Sequence, residues 1–419
     1  MKANEYCLRA HRGFSLVELL VAMVIALVVM AGVINSFLAS KDAYRYNQEL
    51  AFIQENARFA NSKMGSDIRD AGNFGCRTSD GTNNYYDNNL VNVLGDTSSL
   101  SYPDLFTAVG VQGYNNTTGW PTSDVQAAVT AVNATTPPDA IMVRHADLDD
   151  NDAYLVQGHS GHAFTLSSAN TKYPDGAIMV FADAQCRYQA IFRATGPAPG
   201  STTLTMDHTA NTGSAPKNYA EVLLGKLKQT GYFFGDYTHS SSECPSTTNC
   251  SWQDSSATYL TGSKLMPLTS NIYYVGRSTI DPSINSLWVV GLNSSGTGAG
   301  QIGSPQELVL GVDDMRIYYG VDTLNPDGTN APDGNANRYV TANQIAAQIA
   351  TSTATNGYLV WNRVTSVRVQ LLMRSRGTIS SRPSQTFRWE GDTTDLTKND
   401  GYLRQMVSFT IQLRNPFRG

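Results

Sequence analysis

Gly13-Phe14-Ser15-Leu16-Val17-Glu18-Leu19-Leu20-Val21-Ala22-Met23-Val24-Ile25-Ala26-Leu27-Val28-Val29-Met30-Ala31-Gly32-Val33-Ile34 holds a single carboxylate, Glu18, inside an otherwise apolar run. At the helical rise, residues 14–34 would span about 31 Å, the depth of one hydrocarbon core. An ionisable group inside such a span costs on the order of 3 kcal/mol and marks function by default. It is tolerable there when a cation meets it. The leader, residues 1–13, carries Lys2, Arg9 and Arg12 against Glu5, a net +2 that keeps this end in the cytoplasm. A cleaved secretory signal would need small residues in an A-x-A-like site after the apolar run. Ser36-Phe37-Leu38 and Phe37-Leu38-Ala39 fit that site poorly. A plain signal anchor explains the length and leaves Glu18 unexplained.

The helix is expected to continue past the membrane. No proline occurs before Pro103, and residues 36–70 are rich in Ala, Gln, Glu, Asn and Arg. Tyr46, Leu50, Ile53, Ala57, Ala60, Met64 and Ile68 recur at spacings of three and four, one face of an amphipathic helix. Lys41, Glu49, Glu55, Arg58 and Asp67 are assigned to the opposite face. Ala71-Gly72-Asn73 is the expected stop. A helix from Ser15 to about Ala71 would be roughly 85 Å long. Its front half is apolar all round; its back half can dock on the chain's own globular part.

Beyond residue 72 charge is sparse and turn chemistry recurs: Asp80-Gly81, Pro174-Asp175-Gly176, Pro326-Asp327-Gly328, Pro332-Asp333-Gly334 and Asp392-Thr393. Between the turns lie short β-rich runs, such as 177–181, 188–192, 272–275 and 287–290. The formal charge of −5 becomes −7 without the leader, against a nucleic-acid face, which would want a basic patch.

The stretch from Gly13 to Met23 resembles the class III signal of type IV prepilins and pseudopilins. The resemblance implies cleavage by a membrane peptidase between Gly13 and Phe14 and N-methylation of Phe14. Glu18, the fifth mature residue, would meet the terminal ammonium of a neighbouring subunit. A second, looser resemblance lies in residues 307–415. Residues 307–320, 364–375 and 404–415 read as strands, the last with Val407, Phe409, Ile411 and Leu413 on one face. Their order, with Leu371-Leu372-Met373-Arg374-Ser375 and Ile411-Gln412-Leu413-Arg414-Asn415, resembles the PilW family of minor pilins and the related pseudopilin J of type II secretion. In that family the C-terminal strands build the sheet that cradles the spine helix.

Of five cysteines, Cys7 lies in the leader, leaving Cys76, Cys186, Cys244 and Cys250, for which three pairings exist. The favoured set is Cys244–Cys250, closing a small loop, and Cys76–Cys186, each bridge contributing about 2–4 kcal/mol. The rivals are free thiols and a metal site with His239, whose spacing fits no zinc pattern. Two acidic clusters could offer calcium ligands: Asp147, Asp149, Asn151 and Asp152, and the better placed Asp322, Asn325, Asp327 and Asp333. Neither follows the EF-hand loop, and the same residues make ordinary turns. His159-Ser160-Gly161-His162 lacks the Glu and spacing of a zinc-hydrolase helix, and no nucleophile elbow or phosphate loop occurs. No catalytic constellation is expected.

The expected fold is α+β and pilin-like: a long N-terminal α-helix, transmembrane over 14–38 and then amphipathic, packed on an antiparallel β-sheet domain with a large β-rich insertion. The expected division is a cleaved leader at 1–13, the spine helix at 14–72, the β-rich insertion at 73–306 and the C-terminal pilin-like sheet at 307–419. The resemblance implies a minor pilin that helps initiate or cap a type IV pilus. Its implied partners are other minor and major pilins, the prepilin peptidase and the inner-membrane assembly platform. It would sit in the inner membrane, globular part periplasmic, before entering the fibre or its tip. The alternatives are a type II secretion pseudopilin and a tip adhesion module built on the insertion.

Overall fold

The computed structural model describes residues 15–75, 109–132, 136–147, 154–160, 163–170, 262–293, 300–322, 334–351, 361–379 and 384–414, with shorter stretches between 90 and 94 and between 173 and 205. Gly13, Phe14, Cys76, Cys186, Cys244, Cys250, Asn325 and Asp327 lie outside the described residues. Helix α1, Leu16–Asp70, runs 55 residues, about 82 Å at 1.5 Å per residue. It ends at the expected stop: Ala71 is the C-cap, and Gly72 turns the chain at φ +76°, a conformation open to a residue without a Cβ. From residue 16 to 38 every side chain is exposed, and an 18-residue window in this helix reaches a mean hydropathy of 2.8. Further on, Ile53, Ala57, Ala60, Met64 and Ile68 are buried, with Tyr46 and Leu50 leaning on the same core. This is the face that the spacing marks.

The first sheet follows: β1 (Leu90–Asn92), β2 (Val111–Tyr114), β3 (Ala140–Ala146), β4 (Tyr154–Ser160), β5 (Ala163–Asn170), β6 (Ile178–Ala182), β7 (Gln189–Arg193), β8 (Ser201–Thr205), β9 (Ser263–Arg277), β10 (Asn285–Gly291) and β11 (Gln306–Leu310). Helix α2, Ser123–Val132, lies between β2 and β3. Strand β9 is the hub. Its first residues pair with β4 and β6, and its later ones with β3 and β10, all antiparallel. Among the described strands only β1 and β7 pair in parallel. The four β-rich runs of the sequence fall within β6, β7, β9 and β10 to within one residue.

The second sheet has the order β13-β12-β14-β17, built from β12 (Val312–Val321), β13 (Arg338–Val340), β14 (Val364–Thr378) and β17 (Tyr402–Gln412), antiparallel throughout. Helix α3, Ala342–Thr351, precedes β14, and a ribbon of β15 (Gln385–Phe387) and β16 (Leu396–Lys398) precedes β17.

Residues 307–320 are not the single strand that their alternation suggests. The chain breaks at Gly311, φ +85°, so that β11 pairs with β10 in the first sheet and β12 with β14 in the second. A Cβ at 311 would lie 2.6 Å from the Arg374 carbonyl oxygen. The Gly311 N–H donates to Asn285 at 2.8 Å, and its carbonyl accepts from Arg374 at 2.8 Å. One glycine thus joins both sheets.

Both sheets bury apolar residues against the rear of α1. Ile53, Met64 and Ile68 share a core with Ile141, Val143, Tyr273 and Val275 of the first sheet and with Met315, Val369, Leu371 and Ile411 of the second. Each such side chain contributes about 1.5–3 kcal/mol when fully buried. The alternate residues of β3 and β9, Met142, Ile272 and Tyr274, face the other way with Val125 and Val129 of α2. Both faces of these strands are therefore apolar, which explains their near-continuous hydrophobic runs. A third core, around Phe164, Phe181 and Phe192, lies under β4 to β8; Phe164 and Phe181 stack at 5.6 Å.

Candidate functional site

Glu18 stands in the first turn of α1, among exposed apolar side chains. Its carboxylate turns back to accept from the Ser15 N–H at 3.2 Å, while the Ser15 hydroxyl accepts from Val17 at 3.4 Å. This is a capping box: two helix N–H groups are satisfied reciprocally, and an anion sits at the positive end of the helix dipole. Ser15 is legible in the sequence as Ser15-x-x-Glu18 before an apolar run. Among the described residues no cation forms an ion pair with Glu18.

The rear of α1 is tied to the sheets by polar contacts as well as by its apolar stripe. Glu49 accepts from the backbone N–H groups of Arg376 and Gly377 at 2.8 and 3.1 Å. Asn56 donates to the Leu310 carbonyl at 3.0 Å. Asp67 accepts from Asn271 at 2.7 Å and from the Tyr273 hydroxyl at 2.6 Å. Burial, together with the Asp67 carboxylate, pushes the Tyr273 phenol far above its ordinary value, so it remains a donor. Glu49 and Asp67 are therefore not on the solvent face to which periodicity assigns them. They flank the apolar stripe and spend their charge on donors across the seam. Glu55 and Arg58 do face water, as an ion pair at 2.8 Å.

A long apolar helix opened by a capped acid, with its rear half docked on an antiparallel sheet, is the geometry on which the comparisons bear. Residues 8–34 match the prokaryotic N-terminal methylation motif, and residues 272–415 match the family of Type IV Pilus-assembly protein W, PilW. The chain is a PilW-like, prepilin-type minor pilin. As such it is membrane-anchored and acts in type IV pilus biogenesis, a structural pilus component that meets other pilins and the assembly machinery. No curated protein and no solved structure matches the chain.

In this minor pilin the PilW match begins inside β9, close to the point where its neighbours change from β4 and β6 to β3 and β10. The two C-terminal phrases are ties. Arg374 donates to the Ser283 carbonyl at 2.9 Å and lies 4.1 Å over the Tyr402 ring. Arg414 donates its N–H to the Arg69 carbonyl at 2.8 Å and pairs with Asp70 at 2.9 Å, fastening the end of α1. Arg404 forks onto Asp400 and holds that carboxyl down at about 2.

The minor pilin also places one half-buried guanidinium between two buried carboxylates. Arg316 of β12 lies 3.3 Å from Asp314 and 3.7 Å from Asp139, and donates to the Pro137 carbonyl at 2.7 Å. Asp139 accepts from the Ile317 N–H at 2.9 Å. Burial, partly offset by Arg316, raises Asp139 to about 7 and Asp314 to about 6. The lead-in to β3 is thereby fastened to the second sheet. Asp322, the described member of the better calcium cluster, is buried and accepts from the Gly334 N–H at 2.7 Å, a turn contact. Among the described residues no three acidic, histidine or cysteine side chains gather as metal ligands.

Proposed function

We propose that this minor pilin assembles with other minor pilins to initiate or cap the type IV pilus fibre. The observation that carries this reading is Glu18, an acid whose only described contact is its own helix cap, within a helix end exposed on every side. Cleavage between Gly13 and Phe14, with methylation of Phe14, would create an ammonium one turn away in each neighbouring subunit. Pairing that ammonium with Glu18 offsets the cost of the acid in lipid and sets the register of adjacent spine helices. The leader lies in the cytoplasm, the prepilin peptidase acts there, and the sheets face the periplasm until the platform moves the subunit into the fibre.

Glu18→Ala tests the reading. The variant stays in the membrane and loses its leader, yet drops out of sheared pili, and fibre number falls. Normal incorporation of Glu18→Ala would overturn the register role. N-terminal sequencing supplies the second arm: the mature chain begins at methylated Phe14, and a chain beginning at Met1 would sink the processing step.

A further inference from the structure

We propose that the outer edge of β17, residues 406–412, receives an extended, uncharged segment of a neighbouring pilin by β-augmentation. The inference rests on the assembly role above and adds the surface on which assembly occurs. Among the described strands, β17 is the last of its sheet and pairs only with β14. The hydrogen-bonding parity of that pair can be read from its ends. Leu413 donates to Thr365, so odd residues of β17 point to β14; Arg374 donates to Gly311, so even residues of β14 point away from β17. The pair Arg374 and Arg404 follows that pattern. The N–H and C=O groups of Met406, Ser408, Thr410 and Gln412 therefore point outward, and among the described residues none meets a partner there.

Both ends of this edge are closed, and both show what the middle lacks. At one end the Gln385 carboxamide accepts from the Arg404 N–H at 3.0 Å and donates to the Tyr402 carbonyl, standing in for one residue of an added strand. At the other end the Arg414 N–H is taken by the Arg69 carbonyl at the close of α1. Between the caps lies an open edge of seven residues, about 23 Å long. Free edges are ordinarily protected by lysine, proline or a bulge. Gln405-Met406-Val407-Ser408-Phe409-Thr410-Ile411-Gln412-Leu413 contains no charge, proline or glycine, and its register with β14 is unbroken from 366 to 374.

The two faces of the edge specify the occupant. Val407 and Phe409 lean on the core beneath α1, while Ser408, Thr410 and Gln412 are exposed on the other face. An added strand would place apolar side chains beside the first pair and small polar ones beside the second. Main-chain hydrogen bonds supply affinity and the alternation supplies selectivity. Because the edge ends at the tail of α1, a subunit whose spine lies along α1 reaches it without leaving its neighbour.

The test uses the full-length processed protein in detergent micelles, alone and mixed with purified pilins of the same fibre. Alone, the amides of Met406, Ser408, Thr410 and Gln412 exchange hydrogen quickly, and those of Val407, Phe409 and Ile411 slowly; in the complex the even set becomes protected. Ser408→Pro removes one outward donor without touching the ladder to β14, and weakens association by about tenfold or more. Ser408→Ala, which keeps the donor, binds as wild type. Undiminished binding by a folded Ser408→Pro, even-numbered amides already protected in the isolated chain, or closure of the edge by a second copy would each overturn the proposal. If Ser408→Pro fails to fold, the exchange pattern of the wild type decides. Absence of any association by the wild type would overturn the assembly role along with the edge, whereas association that leaves the even amides unprotected overturns the edge alone.

Discussion

Replacing Asp139 by Asn removes one of two buried carboxylates that share the half-buried Arg316. With both ionised, two carboxylates share the one Arg316 guanidinium, and burial is the largest cause of the rise to about 7 at Asp139 and about 6 at Asp314. In the unfolded chain both titrate near 3.8. The folded state therefore binds these protons more tightly. The resulting stability is fully present below about pH 4 and is lost as pH rises through 6 and then 7. For Asp139 alone, a rise from 3.8 to about 7 at roughly 1.4 kcal/mol per unit amounts to something on the order of 4 kcal/mol. The two sites titrate as a pair, so their shares do not add. Urea unfolding of the full-length protein, followed by tryptophan fluorescence between about pH 5 and pH 8, reads this directly. Wild-type stability falls across that window, while Asp139→Asn, which keeps the acceptor for the Ile317 N–H and cannot ionise, shows a flatter profile. Parallel profiles for the two proteins would refute the reasoning, since they would mean that Asp139 ionises without cost in the folded state.

Tyr273→Phe leaves Asp67 with Asn271 alone and is expected to cost about 1.5–3 kcal/mol, the range for a hydrogen bond to a charged group; an unchanged urea midpoint would contradict the seam described. Gly113→Ala places a Cβ 2.1 Å from the Tyr319 hydroxyl, whose ring meets Trp361 edge-on at 5.0 Å. It should cost about 1–3 kcal/mol and shift Trp361 emission, and an unperturbed spectrum at wild-type stability would count against this packing. Met64→Ala, at a fully buried position of the α1 stripe, should cost about 2–5 kcal/mol; a loss below measurement error would place the stripe in solvent.

The spine helix was legible because its signals reinforce one another over many residues. An apolar run, a stripe at three and four, no proline and a Gly72 stop agree on one element, and the helix ends within a residue of that reading. The strands of the second sheet were legible for the same reason, since 364–375 and 404–415 overlay β14 and β17. Failures arose where one residue overrides a pattern. Gly311 interrupts an alternation that runs on without it, because the need for a positive φ is a property of the junction and not of the pattern. Glu49 and Asp67 lie at the border of the apolar stripe, where helical periodicity cannot separate a solvated acid from one that reaches across a seam. Helices α2 and α3, ten residues each, are too short for their periodicity to stand out, yet both carry cap signals. Thr122 accepts from the Val125 N–H at 3.1 Å, and Gln344 accepts from the Thr341 N–H at 2.9 Å. The Arg316 cluster could not be read at all, since it joins residues far apart in sequence.

Strand β9 bears on how this chain can vary. A module attached by a flexible tether can be exchanged like a cassette; the region ahead of residue 272 is attached by an unbroken strand whose two halves serve different neighbours. Its orientation is thereby inherited from the PilW-matched part, residue by residue. A chimera with its crossover inside β9 would have to preserve the twist and pleat of every residue through the junction, so new surface is more readily gained in the connecting loops of the first sheet than by replacing the sheet.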